Sequence, residues 1–249
     1  GLTLRDHFRQ SAWDRLQVIE AVRDGLDLDG DGAADLVDAR MLYVGGSLGG
    51  MMGTETMALS DAFAGGALFL AGGRLTSIVT SSPQYAALVE LLAPDGWSHD
   101  DALRFVPAVQ TVVDGGDPMV WARYVVGERL VGSADDPPQL VSMYALRDLV
   151  VPNRANSNHG AGLGLMGVGR ELWPMPPVIF GPDPLRGNLR NGGTAGIVQF
   201  DLVTGPALEA EPEPVDHGSL EWSVEGRGVW VPFLTAVSEG EPGRIADPY

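Results

Sequence analysis

The chain has no cysteine and no lysine. Without cysteine there is no disulfide framework and no thiolate metal site. Without lysine, the 16 basic residues are all arginine; they face 33 acidic residues, for a net charge of −17. Phosphate binding needs a basic surface, so nucleic acid is excluded as a partner and an anionic membrane is disfavoured. Long apolar runs are missing as well. Glycine and polar residues interrupt each one well short of the ~20 residues needed to cross a bilayer, so no membrane span is expected. What is present suits a folded protein: 249 residues, 45% hydrophobic and 20% charged, enough for a sizeable core.

Apolar positions Leu4, Phe8, Trp13, Leu16, Ile19 and Val22 predict a helix over 3–25, with Gly25 as its stop. The short apolar run Arg40–Gly46 predicts a buried strand, and 47–60 a helix rich in Gly, Met and Ala. Further strands are expected at 67–71, 140–145 and 196–200. Between 76 and 126 the pattern is helical in pieces. The stretch 160–193 reads as a long surface loop with a short helix, and 209–214, alternating Glu and Pro, as an extended exposed tail. Strands separated by helices imply the α/β class, with a mostly parallel sheet flanked by helices. One domain is expected over 1–249, with about 76–126 as lid or cap helices.

The sharpest local signal is Gly45-Gly46-Ser47-Leu48-Gly49-Gly50, a G-x-S-x-G placed directly after a strand and before a helix. On such a turn a serine hydroxyl is exposed at the strand end, and glycines two residues either side let backbone pass closely. The Leu48 N–H then points to where an oxyanion would form. A glycine-rich turn with an ordinary serine is the plainer alternative.

A serine nucleophile needs a base, and the base an orienting carboxylate. The acid should follow a later strand, and Asp148 lies three residues past the 140–145 run. Asp114 and Asp117 also follow Ser47, but they sit in a helix-breaking loop. Of four histidines, His7 precedes the serine, His99 looks like a helix start, and His159 follows Asp148 with no strand between. His217 comes after the last strand, where the base has to be delivered.

A second constellation precedes the elbow. Asp27, Asp29, Asp31, Asp35 and Asp38 fall at positions 1, 3, 5, 9 and 12 of a twelve-residue stretch, with Gly32 at position 6. With the Ala33 carbonyl at position 7, these oxygens suit one structural Ca²⁺. The alternative is a solvated acidic turn.

The segments Arg5–Ser11, Leu26–Gly32, Gly45–Gly50, Gln110–Pro118, Asp148–Asn153 and His217-Gly218 together resemble bacterial α/β-hydrolase lipases and esterases of the extracellular or virulence-factor lipase type. The resemblance implies carboxylic-ester hydrolysis through an acyl-enzyme. Ser47 would be nucleophile, Asp148 acid, His217 base and Leu48 N–H an oxyanion donor. An acyltransferase or peptidase with the same triad, or a non-catalytic calcium-stabilised binding module, are the alternatives.

Two departures stand out. Gly46 takes the place where many such lipases have His, and nothing before Ser47 supplies the second oxyanion donor. The expectation is therefore the C-terminal part of a larger hydrolase. Its first strands would come from an N-terminal fragment of the same precursor, associated as a separate chain, and the Gly1 start agrees with this. The resemblance and the acidic loop point to secretion or the cell envelope.

Overall fold

The computed structural model describes residues 2–36, 40–207 and 210–249. In chain order the elements are α1 (Leu2–Arg23), β1 (Met41–Gly46), α2 (Leu48–Leu59), β2 (Phe63–Phe69), α3 (Leu75–Ser81), α4 (Ala86–Leu92), α5 (His99–Val113) and α6 (Pro118–Val126). Then come β3 (Gln139–Ala145), α7 (Asn153–Leu163), β4 (Met166–Val168), β5 (Ala195–Phe200), β6 (Leu202–Thr204), β7 (Pro212–Pro214) and α8 (Val224–Ser238).

Five strands form one parallel sheet in the order β1-β2-β3-β5-β4. Period-2 alternation distributes their side chains between two cores. Ala67, Phe69, Val141, Met143, Val198 and Phe200 face α8, where Val229, Phe233 and Val237 close the layer. Leu68, Leu140, Tyr144 and Ile197 face the other way, against Met57 of α2, Ala122 of α6 and Ala155 of α7. Burial on both faces explains why these strands read as continuous apolar runs.

Register sets the working edge. Gly46 pairs with Phe69, Phe69 with Met143, and Ala145 with Phe200. The strands thus end at nearly one level, and the turns after β1 and β3 emerge on the same side of the sheet, where open α/β sheets present their sites. Among the described residues β1 pairs with β2 alone, and Val44 at its centre is 52% exposed.

Two sequence expectations are refined. The 160–193 stretch is mostly loop with a short helical piece, as expected, but it also holds a strand, Met166–Val168, paired with β5, and its helix is the end of α7, which runs in from Asn153. Three residues are too few to show a period. Helix α7 is rich in Asn and Gly, poor helix formers, and is held by burial of Ala155, His159 and Leu163 and by Asn156 donating to the Ala71 carbonyl at 2.9 Å. In the tail, Pro212–Pro214 is exposed as expected but pairs antiparallel with β6; Glu209 lies outside the described residues.

The 76–126 region folds as helices α3 to α6, with a capping box on α5 formed by Ser98 and Asp101. Helices α3 to α5 and the start of α1 line an open apolar groove of about 310 Å³, bordered by Leu4, Leu75, Val79, Trp97 and Phe105 among others. Ser47, Asp148 and His217 are not among its lining residues. Trp121 and Tyr124 instead pack against the core shared by α2, α6 and α7.

Candidate active site

Ser47 sits between β1 and α2 at φ 51°, ψ −118°, a region that non-glycine residues rarely occupy. Its N–H donates to the Phe69 carbonyl of the neighbouring strand at 2.8 Å, and its own carbonyl accepts from Met51 N–H at 3.1 Å. These bonds hold the serine in its strained turn. The flanking glycines act unequally. A Cβ on Gly45 would lie 2.6 Å from the Gly49 carbonyl oxygen, and one on Gly50 would lie 2.9 Å from the Ala71 Cβ. At Gly49 a Cβ would meet nothing within 4 Å, so the tight approach falls on Gly45 and Gly50, not on Gly45 and Gly49 as the motif suggested.

The Ser47 hydroxyl is 2.8 Å from His217 Nε2, and His217 Nδ1 is 2.7 Å from Asp148 Oδ2. A carboxylate only accepts, so Nδ1 carries the proton and Nε2 is left to accept from the serine. The Asp148 side chain is fully buried, and its other oxygen accepts the N–H groups of Val150 and Val151 at 2.8 and 2.9 Å. Arg147, at φ 65°, turns the chain sharply after β3, and its N–H donates to Asn153 Oδ1 at 3.2 Å. His217 is presented by a turn in which Asp216 accepts the Gly218 N–H at 2.9 Å. The hydrogen bond to Asp148 raises the His217 pKa above the ordinary imidazole value; burial opposes this, and the charges of Asp148, Glu221 and Asp216 add to it.

Leu48 opens α2, so its N–H has no acceptor within the helix. The five remaining carboxylate and histidine candidates lie elsewhere. His7 is on α1, His99 begins α5, and His159 is buried between α7 and α2. Asp117 is buried and caps α6: it accepts from Met119 N–H at 2.9 Å, from Arg74 and Leu75 N–H at 3.1 and 2.6 Å, and from Gln110 at 2.8 Å. Asp114 accepts from the same glutamine at 2.7 Å. Their work is to pin α3 and α5 onto α6.

This is an α/β-hydrolase fold. It carries a strand–Ser–helix elbow on a parallel sheet, an acid turn after a later strand and a histidine after the last strand of the sheet. Glu221 joins the site without a sequence signal. A Cβ placed on Gly46 would stand 4.0 Å from its Oε1. Only the return of the 216–222 turn to the elbow reveals it.

The acidic loop is closed by an antiparallel bridge between Leu26 and Leu36. One carboxylate oxygen from each of Asp27, Asp29 and Asp35 lies within 4.8 Å of the others. Asp27 accepts from Gly32 and Gly30 N–H at 2.9 and 2.6 Å, which lowers its pKa. Asp31 is absent from that group and instead accepts the Ala33 N–H at 2.7 Å. Asp38 lies outside the described residues.

No protein-family model and no curated protein matches the chain. Solved structures do resemble it. A Mycobacterium tuberculosis puromycin-hydrolyzing peptidase matches at TM-score 0.40 and 17% identity, over 61% of this chain and 19% of its own. A Pyrococcus horikoshii acylaminoacyl peptidase matches at 0.41 and 14%, over 72% and 20%. An acylaminoacyl peptidase in complex with a chloromethyl ketone matches at 0.46 and 15%, over 84% and 24%. The chain spans about a fifth to a quarter of the length of these proteins.

Proposed function

We propose that this chain is a serine hydrolase that cleaves carboxylic esters through an acyl-enzyme intermediate. The observation that carries the reading is the continuous hydrogen-bonded line Ser47–His217–Asp148, with the serine in a strained elbow. His217 Nε2 takes the hydroxyl proton as Ser47 attacks the acyl carbon, and returns it to the departing alcohol. Asp148 holds the tautomer and stabilises the imidazolium. The Leu48 N–H steadies the oxyanion. A water molecule, deprotonated by His217, then releases the acid.

A second oxyanion donor belongs to the same reading. We assign it to an N-terminal fragment of the same precursor, docking on the edge of β1 that has no strand partner among the described residues; the half-exposed Val44 supports this. We also assign a structural Ca²⁺ to the loop holding Asp27, Asp29 and Asp35, whose converging carboxylates support it. In both assignments the metal and the partner stabilise the nucleophile strand.

The test is fluorophosphonate labelling with peptide mapping, followed by ester hydrolysis. Label on the Ser47 peptide and turnover of simple esters are the expected results. Unlabelled protein in the presence of its partner would mean a binding module that has kept the fold. Acyl transfer to an added alcohol or amine in preference to water would make it a transferase.

A further inference from the structure

Glu221 lies four residues past His217. Its backbone carbonyl accepts the Trp230 indole N–H at 3.1 Å, and Trp230 meets Phe69 edge-on with ring centroids 5.7 Å apart. The residue is therefore tied both to α8 and to the end of β2, the strand beside Ser47. Its Oε2 is sealed from solvent without a hydrogen-bond partner among the described residues. Its Oε1 faces the position of a Cβ on Gly46, 4.0 Å away, and Gly46 is the residue immediately before the serine. A side chain at that position would cover the carboxylate; glycine leaves it open to the elbow.

Three carboxylates act on His217: Asp148, Glu221 and Asp216. Two are committed. Asp148 is bound by His217 and by the N–H groups of Val150 and Val151. Asp216 accepts from Gly218 N–H. Glu221 carries a sealed Oε2 with no donor among the described residues, and its Oε1, on the Gly46 side, is the oxygen through which a donor from the elbow would relieve the cost of the buried carboxylate. A positively charged donor satisfies it best, because charge-assisted hydrogen bonds are the stronger ones. The local field agrees, since Asp148, Glu221 and Asp216 each favour the charged form of His217.

We propose that Glu221 is a specificity residue that binds a cationic substituent, an ammonium or guanidinium, carried close to the scissile acyl bond. The substrates it selects are amino-bearing esters, such as aminoacyl esters, over neutral esters of the same shape. This rests on Ser47 acting as a hydrolase nucleophile.

The experiment compares two matched ester pairs. In one the acyl part carries a free or an N-acetylated amine; in the other the alcohol part does. Each pair is assayed with wild type, Glu221→Gln and Glu221→Asp. Wild type is expected to favour the cationic member of at least one pair by roughly tenfold or more in kcat/KM, the worth of one charge-assisted hydrogen bond. Glu221→Gln should bring that ratio toward one, and Glu221→Asp should restore part of it. Using the ratio cancels any effect of the variant on His217 itself.

The inference is overturned if wild type favours the neutral members. It is equally overturned if Glu221→Gln slows both members of each pair alike, which would make Glu221 a positioning residue for His217. Fluorophosphonate labelling of the same samples keeps the two readings apart. An unlabelled wild type overturns the hydrolase reading, whereas a labelled wild type with a flat ratio overturns the cation site alone.

Discussion

His159 on α7 and Thr54 on α2 meet in the core, with His159 Nε2 2.8 Å from Thr54 Oγ1. The threonine hydroxyl donates its single proton to the Gly50 carbonyl at 3.1 Å, so Nε2 must carry the hydrogen that bridges the two helices. Nδ1 is then a buried lone pair without a partner among the described residues. The contact ties the helix that follows Ser47 to the helix that follows the Asp148 turn.

This histidine makes the fold acid-sensitive. Complete burial pushes its pKa down to about 4, from 6.5. In the window between those values the unfolded chain binds the proton and the folded chain does not. Stability therefore falls as pH drops from about 6.5 to about 4, by about 3 kcal/mol in full. Urea unfolding of wild type and His159→Gln at pH 7 and pH 4.5 checks this. The variant is expected to lose less stability over that interval; equal losses would dismiss the role.

Glu55, on the same helix as Thr54, works in the opposite sense. It is 3% exposed, its Oε2 has no partner among the described residues, and burial pushes its pKa up to about 7, the charges of Arg15 and Arg9 opposing. The folded state holds the proton longer than the unfolded one. The stability it contributes is present at low pH and is lost as pH rises through about 7. Glu55→Gln should gain stability over wild type at pH 8 and show a smaller gain, or none, at pH 5 in the same unfolding assay.

For the reaction itself, Ser47→Ala should abolish labelling and lower kcat/KM by roughly four to six orders of magnitude, with circular dichroism unchanged. Asp148→Asn should cost about four orders. His217 must be neutral to act as base, and its hydrogen bond to Asp148 raises its pKa. Activity should thus appear as pH rises through a limb above the ordinary imidazole value. In Asp148→Asn the residual activity should have its limb at lower pH; an unmoved limb would detach the carboxylate from the base.

The elbow glycines separate by steric load. Gly45→Ala places a Cβ 2.6 Å from the Gly49 carbonyl oxygen and 2.7 Å from Tyr43 Cε1, and should destabilise by about 3 kcal/mol or more. Gly49→Ala meets open space on a helix and should keep the melting temperature of wild type or raise it. Thermal unfolding of the two variants distinguishes them, and equal melting temperatures would refute the assignment of the tight contact.

The acidic loop gives a metal-dependent expectation. Ca²⁺ at saturating concentration should raise the melting temperature, a chelator should reverse the shift, and Asp27→Asn should abolish it. A melting temperature indifferent to Ca²⁺ would leave the loop as an exposed turn closed by its own N–H groups.

The sequence by itself determined the parts whose causes are local. An apolar run before Gly45–Gly50 means a buried strand feeding a sharp turn, so the position of Ser47 was legible, as were those of Asp148 after the 140–145 strand and of the late His217, which the structure brings into one hydrogen-bonded line. It also set the spacing of the aspartates. Only the tertiary structure decided what depends on distant partners. Strand β4 is three residues long and exists through its pairing with β5. Helix α7 runs against its own propensity because Ala71, on another strand's exit, accepts from Asn156. Glu221 is an unremarkable residue in the chain and becomes part of the site because Trp230 and the 216–222 turn bring it to Gly46. Local backbone preference can be read from neighbours in sequence; a carboxylate left without a donor is defined by neighbours in space.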